Sequence, residues 1–318
     1  MQKNIVLFGG GTTSSQILKG LKQFPVEITA VIGVHDSGRS TGLLREEFDI
    51  PAVGDLTKVT LSIADCDDDI SDLMNFKFPE YSSIGANSIK NLIFTALIEQ
   101  KGSIDKALPV FSKLINSKGN ILPLTEENVN LIATTIDGEM IFGEEKITDA
   151  MKTIKSIKYD KEFKVNAKVF KAIEKADLIV ISAGSLYTSI IPHLMVKEVA
   201  EAIKTANAPV IYVNNLVTQP GETEKLSVSE HVKLISSYIG EDTLDAVIVN
   251  SGKISSHLSE KYETREQKLP VVYDKKELDK MQIKVIADKL YVIEDNMIRH
   301  NSIKTAYHIF SYLINGEK

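Results

Sequence analysis

Three loops near the N-terminus carry the groups that could handle phosphate. Gly9-Gly10-Gly11-Thr12-Thr13 follows the apolar run Ile5-Val6-Leu7-Phe8, His35-Asp36-Ser37-Gly38-Arg39-Ser40-Thr41-Gly42 follows a second apolar run, and Pro51-Ala52-Val53-Gly54-Asp55 completes the set. Glycines at a strand-to-helix turn leave backbone N–H groups aimed outward, where the helix dipole also favours an anion. The expected ligand is therefore a phosphorylated small molecule. The glycine run lacks the Lys-Ser/Thr ending of a P-loop, and Ser14 stands where G-x-G-x-x-G requires its last glycine. A tight turn is the plainer reading, but Thr12, Thr13 and Ser14 add hydroxyls where a phosphate would sit.

Asp36 lies where a dinucleotide-binding fold places a ribose-binding carboxylate, yet it opens a polar loop. Ser37, Gly38, Arg39, Ser40 and Thr41 can offer amides, hydroxyls and a guanidinium to phosphate oxygens, with Asp36 bridging them through a hard cation. An Asx-turn is the alternative. Asp55 has the same two sides: helix N-cap before Leu56, or a second carboxylate on the metal. No histidine cluster accompanies them, so magnesium suits the pair better than zinc.

Two further loops follow apolar strands. Ala183-Gly184-Ser185-Leu186-Tyr187-Thr188-Ser189 comes after the run 177–182, at the carboxyl end where open sheets bind ligands; ordinary helix capping is the competing reading. Asn214 and Asn215 open a loop whose amides suit a base or a sugar. Gly-x-Ser-x-Gly is absent, so Ser185 is a poor candidate for an acyl nucleophile. His231, Arg299 and His300 stand alone and read as surface or capping residues.

The elements that must position these loops read as one α/β unit. Apolar runs at 4–8, 28–34, 177–182, 209–214 and 245–249 alternate with helix-period segments at 14–22, 87–100, 104–116, 188–204, 228–238 and 302–314, the pattern of a doubly wound parallel sheet. Asp137-Gly138 between 130–136 and 139–142 signals a hairpin, so 120–165 is expected to form an antiparallel β insertion, with the lysine-rich 146–168 as a surface connection. Val271–Tyr273, Ile283–Ile286 and Leu290–Ile293 are expected to close the sheet.

Composition narrows the function classes. At 318 residues and 43% hydrophobic, the chain can bury a large core within a single domain, 1–318. A formal charge of −6 with no basic block argues against nucleic acid, and no apolar stretch is long enough for a membrane span. Cys66 is the single cysteine, flanked by Asp65, Asp67 and Asp68 that disfavour a thiolate, which suits a structural residue in a reducing, cytoplasmic setting.

Together the five loops resemble the CofD/YvcK-like family, on the YvcK branch of gluconeogenesis factors, along nearly the whole chain. Ala176-Asp177-Leu178-Ile179-Val180 leading into Gly184-Ser185-Leu186-Tyr187-Thr188-Ser189, then Thr218-Gln219-Pro220-Gly221-Glu222-Thr223, carry the resemblance most specifically. It implies a Rossmann-like three-layer α-β-α core with a mostly parallel sheet. It also implies a cytoplasmic protein with a nucleotide or nucleotide-sugar site built from these loops, including Lys58, Asn87 and Asn91. CofD relatives transfer a phospholactyl group from a guanylylated donor with magnesium. YvcK-like members look like binders of UDP-sugar or a dinucleotide that act in carbon metabolism and cell-envelope control.

The chain departs from the family pattern at several positions. Gly-Gly-Gly-Thr-Gly reads Gly9-Gly10-Gly11-Thr12-Thr13, and His-Ser-Leu-Gly-Asn reads Asn87-Ser88-Ile89-Lys90-Asn91. Asn87 cannot take a proton as histidine does, and Thr13 adds a branched side chain near the phosphate seat. A binding and regulatory role is favoured over a magnesium-dependent transferase using Asp36 and Asp55. A nicotinamide oxidoreductase rests on fold analogy alone. Homo-oligomerisation and a regulatory protein partner stay open.

Overall fold

The computed structural model describes residues 2–79, 81, 82, 87–294 and 296–315. In chain order the N-terminal part runs β1 (Lys3–Phe8), α1 (Gly11–Leu21), β2 (Val26–Ile32), α2 (Arg39–Phe48), α3 (Gly54–Ser62), α4 (Asp68–Asn75), α5 (Ile89–Lys101) and α6 (Ile104–Leu114). It continues through β3 (Asn120–Pro123), β4 (Leu131–Thr135), β5 (Met140–Phe142), α7 (Glu144–Ala150), β6 (Ile154–Tyr159) and α8 (Ala167–Glu174). Next come β7 (Leu178–Ile181), a π-helical turn (Leu186–Ile190), α9 (Ile191–Leu194), α10 (Lys197–Lys204), β8 (Val210–Val213), α11 (Val228–Ile239) and β9 (Ala246–Asn250). The chain closes with α12 (Ser256–Glu266), α13 (Lys275–Lys280), β10 (Lys284–Asp288), β11 (Tyr291–Glu294), β12 (Met297–His300) and α14 (Ser302–Asn315).

The main sheet has seven parallel strands in the order β10-β9-β8-β7-β1-β2-β3. Its central strands are buried on both faces, and their alternation divides the core in two. Ile5, Leu7, Val180, Ile211 and Ile248 face one cluster, while Val6, Phe8, Ile181, Tyr212 and Val249 face the other. The first cluster also takes in residues of α1, α3, α5, α6 and α14, and the second takes in residues of α8, α10 and α11. Each side chain removed from water there contributes about 1.5–3 kcal/mol. This is the expected three-layer α-β-α arrangement.

Strand order reverses beside β1, which pairs with β2 on one side and β7 on the other. Open sheets have a crevice at such a point, beyond the carboxyl ends of the strands. Four of the five loops singled out by sequence leave that edge, after β1, β2, β7 and β8, while 51–55 joins α2 to α3.

Several boundaries differ from the sequence reading. Residues 146–168 are no surface connection: they hold most of α7, then β6, which pairs antiparallel with β4 to complete a three-stranded sheet β5-β4-β6. Val271–Tyr273 form no strand, with Pro270 making only an isolated bridge to Val217; of the segments expected to close the sheet, 284–288 joins it as β10, whereas β11 pairs with β12 in a separate two-stranded sheet. The expected helix 188–204 is broken into the π-helical turn, α9 and α10, with Pro192 in the first turn of α9. Proline suits that position, where its missing N–H has no helical acceptor to lose. Among the described residues, no helix is long and apolar enough to cross a membrane.

Candidate functional site

The glycine run starts α1 three residues earlier than the polar Ser14 suggests. Gly10, in extended conformation, precedes Gly11 with no side-chain cap, so the first turn presents its N–H groups at the crevice. Asp55 meets them: its carboxylate accepts the Gly11 N–H, and a Cβ on Gly10 would lie 2.7 Å from Asp55 Oδ2. Asp55 is not the cap of its own helix. Val53 holds that position in α3 and Asp55 sits in the first turn, reaching across to serve α1 instead.

Two cavities flank this helix end and share Thr12. One, of about 220 Å³, is bounded by Gly10 and Gly11, by His35 and Asp36, by Asp55 and Lys58, and by Glu144. Asp36 forms the Asx-turn, with Gly38 N donating to Oδ1 at 2.9 Å. Its Oδ2 faces Gly54, where a Cβ would lie 2.9 Å away. Lys58 Nζ stands 3.5 Å from Asp55 Oδ1. Burial pushes the Asp55 carboxyl above its ordinary range and Asp36 adds to the rise, while Lys58 opposes it. Glu144 is pushed up to about 7 by burial and by the carboxylates of Asp36, Asp55 and Glu222. This cavity accepts hydrogen bonds and repels a bare anion.

Its roof is fixed by buried polar groups. His35 Nε2 donates to the Thr188 carbonyl at 2.8 Å, so Nδ1 is the acceptor nitrogen, 3.4 Å from the Tyr159 hydroxyl. Burial lowers the His35 pKa to about 4, which keeps the ring neutral near pH 7. The Arg45 guanidinium donates to the Asp36 carbonyl at 2.9 Å, the Val129 carbonyl at 2.9 Å and Asn130 Oδ1 at 2.9 Å, stapling the Asp36 loop to the antiparallel sheet. Ser37 Oγ accepts the Glu145 N–H at 3.0 Å, which ties the same loop to α7.

The second cavity, of about 170 Å³, lies on the β7 side. Thr12 and Thr13 form one wall, Gly184, Ser185 and Asn215 another, and Tyr262, Arg299 and His300 a third. Ser185 Oγ donates to Glu222 Oε2 at 2.5 Å and caps the π-helical turn by accepting from Thr188 N at 3.1 Å. A π-turn at such a place is a frequent companion of function. Asn215 spends its amide on Gly184, accepting from its N–H at 2.9 Å and donating to its carbonyl at 2.7 Å. That amide locks two loops together instead of facing a base. Lys268 pairs with Glu266 at 2.8 Å, which leaves Arg299 without a carboxylate partner among the described residues of the cavity.

Gly10, Gly11, Thr12, Thr13, Asp36, Asp55, Lys58, Gly184, Ser185, Thr188 and Asn215 line one cavity or the other. Gly9 lies just beneath, its N–H on the Val31 carbonyl at 3.3 Å. Thr41 is buried against Gly54, and Tyr187 is held by its N–H on Glu222 Oε2 at 3.1 Å. Asn91 accepts the Thr57 hydroxyl at 2.6 Å inside the α3–α5 interface, and Asn87 is buried ahead of α5. Asn91 thereby supports, from behind, the helix that carries Asp55 and Lys58. Asn214 is buried and donates to the Asn215 carbonyl at 2.8 Å. The side chains of Arg39 and Ser40 lie outside the described residues; their backbone opens α2.

Sequence reasoning missed Glu144, Arg45 and Tyr262, named Glu222 only within the Thr218–Thr223 motif and gave it no role, and misjudged two histidines. His231 and His300 are buried, not at the surface. His231 sits inside α11 with Nδ1 on the Ser227 carbonyl at 2.8 Å, and His300 lines the second cavity.

Residues 5–291 match the model of the family described as 2-phospho-L-lactate transferase CofD. The chain belongs to the CofD family. Within it, the chain is 37% identical over 303 residues to the Gluconeogenesis factor of Bacillus subtilis, covering 95% of each protein. It is 35% identical over 306 residues to that of Halalkalibacterium halodurans, covering 96% of this chain and 95% of the relative. A crystal structure of a Bacillus halodurans protein superposes with a TM-score of 0.93 at 35% identity, covering 98% of this chain and all of that one. Fold and family therefore agree with the resemblance read from the loops.

Proposed function

We propose that this chain binds a nucleotide or nucleotide-sugar, a UDP-sugar or an NAD-like dinucleotide, and acts through the bound state as a regulator. Its setting is the cytoplasm, and its output reaches carbon metabolism and cell-envelope or cell-shape control. One observation carries the reading: two polar cavities meet at Thr12, in the glycine-led first turn of α1 between β1 and β7, where, among the described residues, only the Gly11 N–H is taken up, by Asp55. A ligand with a phosphate at that junction can extend one end into each cavity. Relatives at 35–37% identity bear the name Gluconeogenesis factor, which supports a metabolic role. The test is a thermal-shift panel of UDP-sugars, NAD and GDP. A ligand at 100 times its Kd stabilises by about 2.7 kcal/mol, and no shift with any phosphorylated compound would sink the proposal.

A second reading, a transferase of the 2-phospho-L-lactate type, is favoured by the approach of Asp36 and Asp55 to one cavity. Among the described residues no group of three or more ligands is arranged to hold a metal ion unaided. Magnesium does not need one, since it is commonly held by one or two carboxylates with waters and substrate phosphate. Asp36 and Asp55 fit that role, with Gly10 and Gly54 leaving the space beside their Oδ2 atoms clear. The ion would offset the charge these carboxylates set against a phosphate. Asp55→Asn separates the two readings. A transferase loses turnover with its fold intact, whereas a binder keeps nucleotide affinity with less dependence on magnesium.

A further inference from the structure

A groove of about 430 Å³ opens at one edge of the main sheet, away from the crevice. β3 runs along it with no strand beyond, so Ile121 and Leu122 meet Leu108 and Pro109 of α6 on one side and Ala172 of α8 on the other. Sheet edges in native proteins are generally blunted or covered. Lys168, Lys171 and Lys175 follow one another at helical spacing along the α8 rim. Lys168 is taken by Asp105 at 3.0 Å, whereas Lys171 and Lys175 have no carboxylate partner among the described residues.

The complementary surface lies on α4. Ile70, Leu73 and Phe76 are large apolar side chains left exposed at a spacing of three, and Asp68, Asp69 and Asp72 flank them with no ion pair among the described residues. The turn before β3 ties this helix to the groove. Asp65 N–H donates to the Asn116 carbonyl at 2.9 Å and Lys118 pairs with Asp65 at 3.3 Å, while Gly119 lines the groove. Across the same face α4 packs on α5 and α5 on α6, whose Val110 and Leu114 are exposed as well. An apolar surface of this extent, bordered by charge, marks a protein contact.

We propose that this face joins two copies of the chain about a twofold axis, with α4 of each copy seated in the groove of the other and its aspartates set against Lys171 and Lys175. Each copy supplies the helix once and the groove once, so the contact is self-complementary and closes as a dimer. The dimensions agree: α4 has eight residues and is about 12 Å long, while Lys168 to Lys175 spans about 10.5 Å of α8. Asp68 and Asp72 are four residues apart, as are Lys171 and Lys175, so both pairs form at once. Burial of Ile70, Leu73 and Phe76 against the groove supplies the attraction, and Val110 and Leu114 extend the buried patch toward the axis. The charge pairs at the rim add little affinity; they steer the encounter and fix which end of the helix meets which end of the groove. The second copy is favoured as the occupant because it brings acidic and apolar residues together at the spacing the groove presents.

The test uses the full chain in three forms: wild type, Asp68→Lys with Asp72→Lys, and Lys171→Glu with Lys175→Glu. Sedimentation equilibrium over a micromolar concentration range measures the mass of each alone and of the two variants mixed in equal amounts. All four positions are exposed, and circular dichroism melts matching wild type show that the variants are folded. Wild type is expected to dimerise and each variant alone to bind itself at least about tenfold more weakly. The mixture should recover the dimer, since the new lysines of one variant then face the new glutamates of the other while the native aspartates still face the native lysines. A wild type that stays monomeric overturns the proposal and leaves the groove to a partner of another sequence. A dimer that either variant keeps unchanged, or a mixture that stays monomeric, overturns it as well.

Discussion

Ser185 and Glu222 are joined by a 2.5 Å hydrogen bond between two loops that leave adjacent strands, and the same carboxylate oxygen accepts the Tyr187 N–H at 3.1 Å. Glu222 Oε1 also accepts from Gln219 Nε2 at 2.8 Å, so this nearly buried carboxylate is fully engaged. Burial raises its pKa and the bonds from Ser185 and Tyr187 pull it back down. Glu222→Ala would strand the Tyr187 amide and the Ser185 hydroxyl, at a cost of about 2–4 kcal/mol. Glu222→Gln keeps the shape and one acceptor oxygen, and should cost under about 1.5 kcal/mol. Urea melts of the two variants check the difference; equal losses would mean that the side chain matters for packing alone.

Arg45 predicts a loss of another kind, because it is a buried cation whose hydrogen-bond partners are carbonyl and amide oxygens. Arg45→Met removes donors from the Asp36 and Val129 carbonyls and should destabilise by about 2–4 kcal/mol. Arg45→Lys should recover little, since an ammonium cannot reproduce the planar fork. Its hydrogen-bond partners are neutral, but Asp36, Asp160 and Glu46 act on the guanidinium from nearby, so the destabilisation should shrink modestly as salt is raised. If the loss in denaturant melts vanishes at high salt, these charges and not the hydrogen bonds carry the effect of Arg45.

How much of this was legible follows from where each signal resides. The five central strands are apolar on both faces and read directly as runs. The edge strand β3 ends in Pro123, and β6 buries Ile154 and Ile157 at a spacing of three, next to a register shift at Thr134/Thr135, so neither shows clean alternation. The glycine loops were legible because their chemistry is local. Glu144 was not, because only the docking of the antiparallel sheet brings it to the crevice, and Glu222 was visible as part of a motif but not as the partner of Ser185, which depends on the turn after β8. His300 was misread through its polar neighbours Arg299 and Asn301, which hide that β12 turns it inward.

Glu144 sets a pH dependence with a definite sign. Its carboxyl titrates near 7 in the folded chain and near 4.5 when unfolded, so between those values the folded state holds the extra proton. Stability from this group is therefore present below about pH 4.5 and lost as pH rises through 7. Glu144→Gln cannot lose that proton and should be more stable than wild type at pH 8, by on the order of 1–3 kcal/mol, with little difference at pH 5. Thermal melts of both proteins at the two pH values decide it. A gain of equal size at both would assign the effect to something other than ionisation.

The two glycines that give Asp36 and Asp55 their room provide the most local test of the site. Gly10 is extended and Gly54 begins α3, so alanine at either is acceptable to the backbone and the cost is contact alone. A Cβ at Gly10 would press on Asp55 Oδ2 at 2.7 Å, and one at Gly54 on Thr41 Oγ1 at 2.6 Å and Asp36 Oδ2 at 2.9 Å. Each carboxylate can swing away, so stability should fall by only about 1–2 kcal/mol. A swing displaces the oxygens that any cation and phosphate would meet, so ligand-induced stabilisation should drop far more than the melting temperature does. If Gly10→Ala and Gly54→Ala keep the full ligand shift, Asp36 and Asp55 do not take part in binding, and the ligand rests on the β7 side of Thr12 alone.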